Sequence, residues 1–170
     1  MTSSRTYRGS LTREQAIEWG VVGPVARASG LDIDVRRDEP YLVYAELGFT
    51  PSLKTECDVF ARVVVRVEEM LESIRLIEAA VAAMPSGPIA AVDGWPAIPA
   101  GEATVRYEAP RGEVLYHVVS DGGPTPARVK IRTPSFVNIP AIEAMVPGQQ
   151  LADLAIIQAS VDPCISCTDR

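Results

Sequence analysis

The sequence is short of the groups on which most hydrolytic and phosphate-handling chemistry depends. It has one histidine, His117, and three cysteines. Zinc, Ser/His and Cys/His hydrolases need a histidine together with other specific groups, and His117 is the one imidazole that could serve. His117 lies in the alternating "GEVLYHVVS" and reads first as a strand residue. Positive charge is also scarce: 16 Lys and Arg against 22 Asp and Glu leave a net charge of −6. That is the wrong sign for a nucleic-acid partner, whose phosphates call for a basic face. No apolar run approaches the roughly 20 residues that cross a bilayer. No basic stretch followed by an apolar run opens the chain, as a secretory signal would. An odd count of three cysteines, two of them three residues apart, makes no disulfide framework and fits a reducing, cytoplasmic setting. Internal repeats and low-complexity segments are absent.

What is present is ample apolar material, 47% of 170 residues, enough for one domain or a large piece of one. Residues 1–11, "MTSSRTYRGSL", read as a flexible start. Thr12 and Gln15 form a capping-box pattern for a short helix closed by Gly20. The turn-rich "VVGPVARASGLDIDVRRDEP" is expected to wind across a surface, and "YLVYAELGF" to form about two helical turns. The dominant signal is "TECDVFARVVVRVEEMLESIRLIEAAVAAMPSGP". Val59, Val63, Val67, Met70, Ile74, Ile77 and Val81 recur at helical spacing and predict one buried stripe. Thr55 is the expected cap, with Pro85 and Gly87 ending a helix of roughly 28 residues, about 40 Å. Its charges, Arg62, Arg66, Glu69, Glu72, Arg75 and Glu78, are expected on a solvated or subunit-facing side with i,i+3 and i,i+4 pairs. Beyond the Pro- and Gly-rich "SGPIAAVDGWPAIPAGE" come three strand-like segments, "ATVRYEA", "GEVLYHVVSDGG" and "ARVKIRT". Arg128, Lys130 and Arg132 alternate along the third, on one exposed face. "TPSFVNIPAIEAMV" and "GQQLADLAIIQASV" read as two closing helices. The fold class is α+β, helix-dominant, with a long central helix and a small antiparallel sheet.

The chain closes on "DPCISCTDR". Cys164 and Cys167 follow a helix rather than a buried strand, which disfavours a thioredoxin-like dithiol. A structural zinc site would need four ligands, and Cys57, Cys164, Cys167 and His117 are available, though at no familiar zinc spacing. A third option is a soft-metal site whose other thiolates lie elsewhere. Cysteines at i and i+3 present both sulfurs to one side, with Asp162 placed to hydrogen-bond and Pro163 stiffening the approach.

"DPCISCTDR" resembles the DPCxxC motif of nickel-iron hydrogenase large subunits, in the energy-converting branch related to complex I. "EAPRGEVLYHVVSDGGPTPARVKIRTPSFVNIPAI" resembles a segment of the same family and is also similar to the quinone-module large subunit of complex I. The likeness runs from about residue 8 to 170, and the terminal cysteines set it apart from the complex I relatives, which lack them. It implies that this is the C-terminal portion of a large-subunit-like fold, or one half of a naturally split one. Cys164 and Cys167 would be nickel thiolates, Cys167 also bridging to iron. Arg111 would lie over the metal pair and help polarise dihydrogen with Asp162 beside it. The turn at Pro110 and Arg111 would seat the iron's cyanide and carbonyl ligands. The first cysteine pair and a proton-passing glutamate of the family are missing, so residues outside this chain would complete the nickel-iron centre. Cys57 stands where relatives carry a small residue and is read as a free thiol. Ending after Arg170 is what a processed large subunit would show. The implied partners are an N-terminal half or companion large-subunit chain, an iron–sulfur small subunit, membrane-arm subunits, and dihydrogen and protons. The implied place is the cytoplasmic side, peripheral to the membrane through those subunits. The alternative is a non-catalytic complex I-like scaffold with a vestigial or zinc-binding CxxC.

Overall fold

The computed structural model describes residues 8–88 and 98–169. Of the expected flexible start, residues 1–7 lie outside that range. Residues 8–11 are built into the fold: Leu11 is fully buried and its amide donates to Cys57 O at 2.8 Å. Thr12 caps α1 (Arg13–Glu18) as the capping pattern predicts. Its hydroxyl accepts from the Gln15 amide at 3.2 Å, and Gln15 Oε1 accepts from the Thr12 amide at 3.0 Å.

The segment expected on a surface runs through the interior instead. It forms α2 (Pro24–Arg27) and α3 (Val35–Asp38), and Val21, Val25, Ala26, Ala28 and Leu31 are all buried. Small residues let it in, because Ala28 packs directly against Ala61 and Val65 where a longer side chain would hold the backbones apart. α4 (Tyr44–Leu47) makes one turn rather than two, ended by Gly48 at φ +63°.

The long helix α5 (Val59–Ala82) has 24 residues. Its cap is Asp58, which accepts from the Ala61 amide at 2.8 Å, not Thr55. Cys57 at φ +63° turns the chain out of helical geometry, so no earlier start is open to it. The predicted stripe is the larger correction. Val63, Val67, Met70, Ile74, Ile77 and Val81 are 45 to 63% exposed, whereas Ala61, Arg62, Val65 and Leu76 are buried. Periodicity locates a helix, but apolar residues surround this one on nearly every side, and Phe60 and Leu71 are exposed too. Of the charges read as solvated, Arg62 is fully buried. Its Nη2 donates to Gly9 O at 2.7 Å and its Nε to Ser160 Oγ at 2.9 Å. Glu72 and Arg75 make the expected exposed i,i+3 pair at 2.6 Å.

The sheet follows the predicted segments: β1 (Gly101–Ala109), β2 (Gly112–Ser120) and β3 (Arg128–Arg132), antiparallel in the order β1-β2-β3. Ala109 pairs with Gly112, leaving Pro110 and Arg111 as a two-residue turn. His117 belongs to β2, its Nδ1 3.0 Å from Thr104 Oγ1 across the ladder. The connection before β1 carries residues 89–97, outside the described range. After β3 the first expected closing helix is broken into α6 (Pro134–Asn138), a 3-10 turn at Ile139–Ala141 and α7 (Ile142–Met145). Pro140 is the cause, since it has no amide to donate and its ring crowds the preceding turn. A 3-10 turn leads into α8 (Leu154–Val161), and α9 (Ile165–Thr168) carries the terminal motif. Leu11, Val25, Met145, Ile157 and Val161 meet in the main core.

Candidate functional site

α8 is stopped by Asp162, which sits in the left-handed region at φ +57°, ψ +58°. That conformation costs a non-glycine residue about 1–2 kcal/mol, and here it aims the carboxylate at the β1–β2 turn. Arg111 Nε donates to Asp162 O at 2.9 Å, and Arg111 Nη2 donates to Asp162 Oδ1 at 3.2 Å. The turn is itself clamped. Its Gly112 presses on Gly23 ahead of α2, where a Cβ would lie 2.3 Å from Gly112 Cα. Asn138 on α6 locks the junction, accepting from Val22 N at 2.9 Å and donating to Val22 O at 3.1 Å and Arg111 O at 3.4 Å. Arg111 is therefore held by three elements distant in sequence.

Cys164 is the N-terminal cap of α9 and Cys167 lies within its single turn, three residues on. α6 and the residue before it brace the pair. The Cys164 amide donates to Ser135 Oγ at 3.1 Å, and Thr133 Oγ1 donates to Cys167 O. The bond to Ser166 at 3.1 Å pulls Cys164 down to about 7, helped by the Cys167 amide and the Arg111 charge. Burial pushes Cys167 up, and the neighbouring Cys164 adds to that. The pair thus has one thiol ready to ionise and one that keeps its proton. Cys57 takes no part: its Sγ donates to Thr55 O at 3.2 Å, and burial raises its pKa. Among the described residues no three His, Cys, Asp or Glu side chains gather as a metal-holding group, so the four possible zinc ligands do not assemble. Iodoacetamide at pH 7.5 is expected to alkylate Cys164 about tenfold faster than Cys57, its rate rising through pH 7 as the thiolate forms. Peptide mass spectrometry over a time course checks this, and equal rates at the two sites would count against the ionised Cys164.

Behind the turn lies a buried ion cluster for which the sequence carried only a faint sign. Arg27, 1% exposed, donates through Nε to Glu69 Oε1 at 2.6 Å and through Nη2 to Glu108 Oε1 at 2.9 Å. Its Nη1 donates to Ile33 O at 3.0 Å and lies 3.0 Å from Asp34 Oδ2, which also takes Arg36 Nη2 at 2.7 Å. The one available hint was charge set among small and apolar residues in "VARASGLDIDVRRD". Burial drives Glu108 up to about 7 despite the pull of Arg27. Glu108 borders a cavity of about 630 Å³ that Glu69, Arg66, Pro110 and Asp162 also line. Among the described residues, Arg66 Nε and Nη2 are buried with no hydrogen-bond partner.

Comparison with known proteins places this arrangement in context. The family described as "Respiratory-chain NADH dehydrogenase, 49 Kd subunit" matches residues 3–96 and 91–170. The carbon monoxide-induced hydrogenase of Rhodospirillum rubrum is 44% identical over 162 residues, which is 95% of this chain and 45% of that protein. One subunit of the F(420)H(2) dehydrogenase of Methanosarcina mazei is 44% identical over 170 residues, again 95% of this chain and 45% of its own length. Among solved structures, the membrane-bound sulfane sulfur reductase, an archaeal respiratory membrane complex, has a chain that superposes with a TM-score of 0.87 at 38% identity. That match covers 97% of this chain and 46% of the other. The chain thus spans about half the length of the relatives it matches.

Proposed function

The chain belongs to the family of the 49 Kd subunit of respiratory-chain NADH dehydrogenase, and from that premise we propose that it supplies the C-terminal part of an energy-converting hydrogenase large subunit. The observation that carries the reading is the pairing of Cys164 and Cys167 on one short helix beside the anchored Arg111. Two adjacent thiols, one ionising near neutrality, suit a soft ion such as nickel. They are half of a donor set, and polypeptide beyond these residues completes it. When bound, a nickel-iron centre supplies the place where dihydrogen is split into protons and electrons. The residues of this chain do the rest. Cys164 and Cys167 hold the nickel. Arg111 keeps a positive charge fixed over the pair, and Asp162 stops that charge from swinging away. Pro110, which has no amide hydrogen of its own, helps form the wall that seats the iron's ligands.

The same proposal accounts for the outward stripe on α5. Val63, Val67, Met70 and Ile74, with Arg66 and its two unpaired nitrogens behind them, form the surface on which the other half of the large subunit packs. An iron–sulfur small subunit takes the electrons, and membrane-arm subunits hold the assembly at the membrane. Among the described residues no helix is long and apolar enough to cross a membrane, in keeping with a peripheral place.

The test is the assembled complex purified with Cys164 intact and with Cys164→Ser. Nickel measured by mass spectrometry and dihydrogen turnover are expected to fall together, each by about tenfold or more. Full nickel and full turnover in Cys164→Ser would leave the scaffold reading, with an idle or zinc-holding CxxC.

A further inference from the structure

Glu108 forms part of the wall of two cavities at once. One is the space of about 630 Å³ that Pro110 and Asp162 line next to the terminal motif. The other, about 280 Å³, lies on the Arg106–Glu113 side of Glu108 and is lined also by Asp38 and Glu39. Both are roomy enough for water, and each sets charged side chains into a mainly apolar lining. Glu108 is the residue common to both linings, and its side chain is only 4% exposed.

We propose that Glu108 passes protons between the inner cavity beside the Arg111–Asp162 clamp and the outer cavity at the Arg106–Glu113 edge of the sheet. The inference rests on the dihydrogen chemistry proposed above and adds a named carrier to it. Oxidation of one dihydrogen releases two protons and two electrons. The electrons leave to the iron–sulfur partner. Each proton protonates water in the inner cavity, the resulting hydronium gives it to the Glu108 carboxylate, which becomes the neutral acid, and Glu108 then gives it to water in the outer cavity, which restores the carboxylate. Production of dihydrogen runs the same steps backwards.

The surroundings suit a group that must be both acid and base. Arg27 donates to Glu108 from α2 at 2.9 Å, favouring the carboxylate. Burial and the charge of Asp34, the cap of α3, favour the acid, and together they bring Glu108 to about 7, with Arg36 pulling weakly the other way. Glu69 faces it from α5 across Arg27, which it also binds. The Tyr41 hydroxyl takes the Glu108 amide at 3.2 Å, fixing the backbone rather than the carboxylate. On the outer side Arg106 is tied to Glu113 at 3.2 Å and to Glu39. A carboxyl poised near the working pH transfers protons in both directions with little cost.

Two readouts test this. Infrared difference spectra of the 170-residue chain should show one buried carboxylic-acid band lost as pH rises through about 7, and Glu108→Gln should remove that band. In the assembled complex Glu108→Gln should lower dihydrogen turnover about tenfold or more, with nickel content and the dihydrogen KM unchanged. Glu108→Asp should restore part of the rate, with a shifted pH profile. If Glu108→Gln does not assemble, Glu108→Asp carries the same comparison. Absence of the infrared band, or an unchanged rate and pH profile in Glu108→Gln, overturns the proton role and leaves the hydrogenase reading intact. A wild-type complex that holds nickel without turning over dihydrogen overturns both.

Discussion

Replacing Arg27 with methionine is expected to destabilise the chain by about 3–5 kcal/mol, the usual result of removing one partner from a buried ion cluster. Methionine replaces the apolar stem of Arg27 but not its guanidinium, so the lost ion pairs outweigh the lost packing. What remains is a set of buried carboxylates without their common cation. Asp34 keeps Arg36 at 2.7 Å, but Glu69 and Glu108 lose their bonds at 2.6 and 2.9 Å. The loss also carries a pH signature. Burial raises Glu108 from the usual 4.5 to about 7. Between those values the folded state holds a proton that the unfolded chain has released, so stability falls as pH rises across the window. Arg27 is the group that pulls Glu108 downward, and without it the window extends to higher pH. The deficit in Arg27→Met should therefore be larger at pH 8 than at pH 5. Urea unfolding followed by circular dichroism at both pH values measures it. A deficit below about 1 kcal/mol would show that Arg27 contributes little beyond an ordinary surface pair, and one equal at the two pH values would show that Arg27 does not hold Glu108 down.

If the chain is the proposed hydrogenase part, Arg111→Lys lowers dihydrogen turnover of the assembled complex by about 10²–10³, the scale of losing one preorganised donor. Charge is conserved in this change, so the effect isolates geometry. The guanidinium grips Asp162 through two nitrogens, to the backbone oxygen at 2.9 Å and to Oδ1 at 3.2 Å. An ammonium on a flexible stem offers a point charge and no such fork. Nickel content should stay at the wild-type level, because Cys164 and Cys167 are braced through Ser135 and Thr133 and not through Arg111. Turnover within threefold of wild type would remove Arg111 from the chemistry, and loss of nickel alongside turnover would make it a structural support.

The terminal motif and the sheet were both legible in the residues themselves. Strands show a period of two, turns show Pro-Arg-Gly and Asp-Gly-Gly, and a CxxC is a local pattern of two thiols three residues apart. The capping box of Thr12 and Gln15 is as local and equally readable. The inner face of α5 was not, because a helix apolar on most sides satisfies several burial patterns. The ion cluster was less legible still. Arg27, Asp34, Glu69 and Glu108 are separated by up to 81 residues, and each alone looks like a solvated charge.

By itself the sequence determined the class of fold, the place of the long helix and strands, and the presence of a thiol pair beside an acidic residue. These are consequences of short-range geometry, set by backbone sterics and side-chain periodicity. Only the tertiary structure decided that Arg111 meets Asp162, that the predicted stripe faces outward, and that four distant charges share one buried site. Burial depends on what packs across from a residue, and that partner lies far away along the chain.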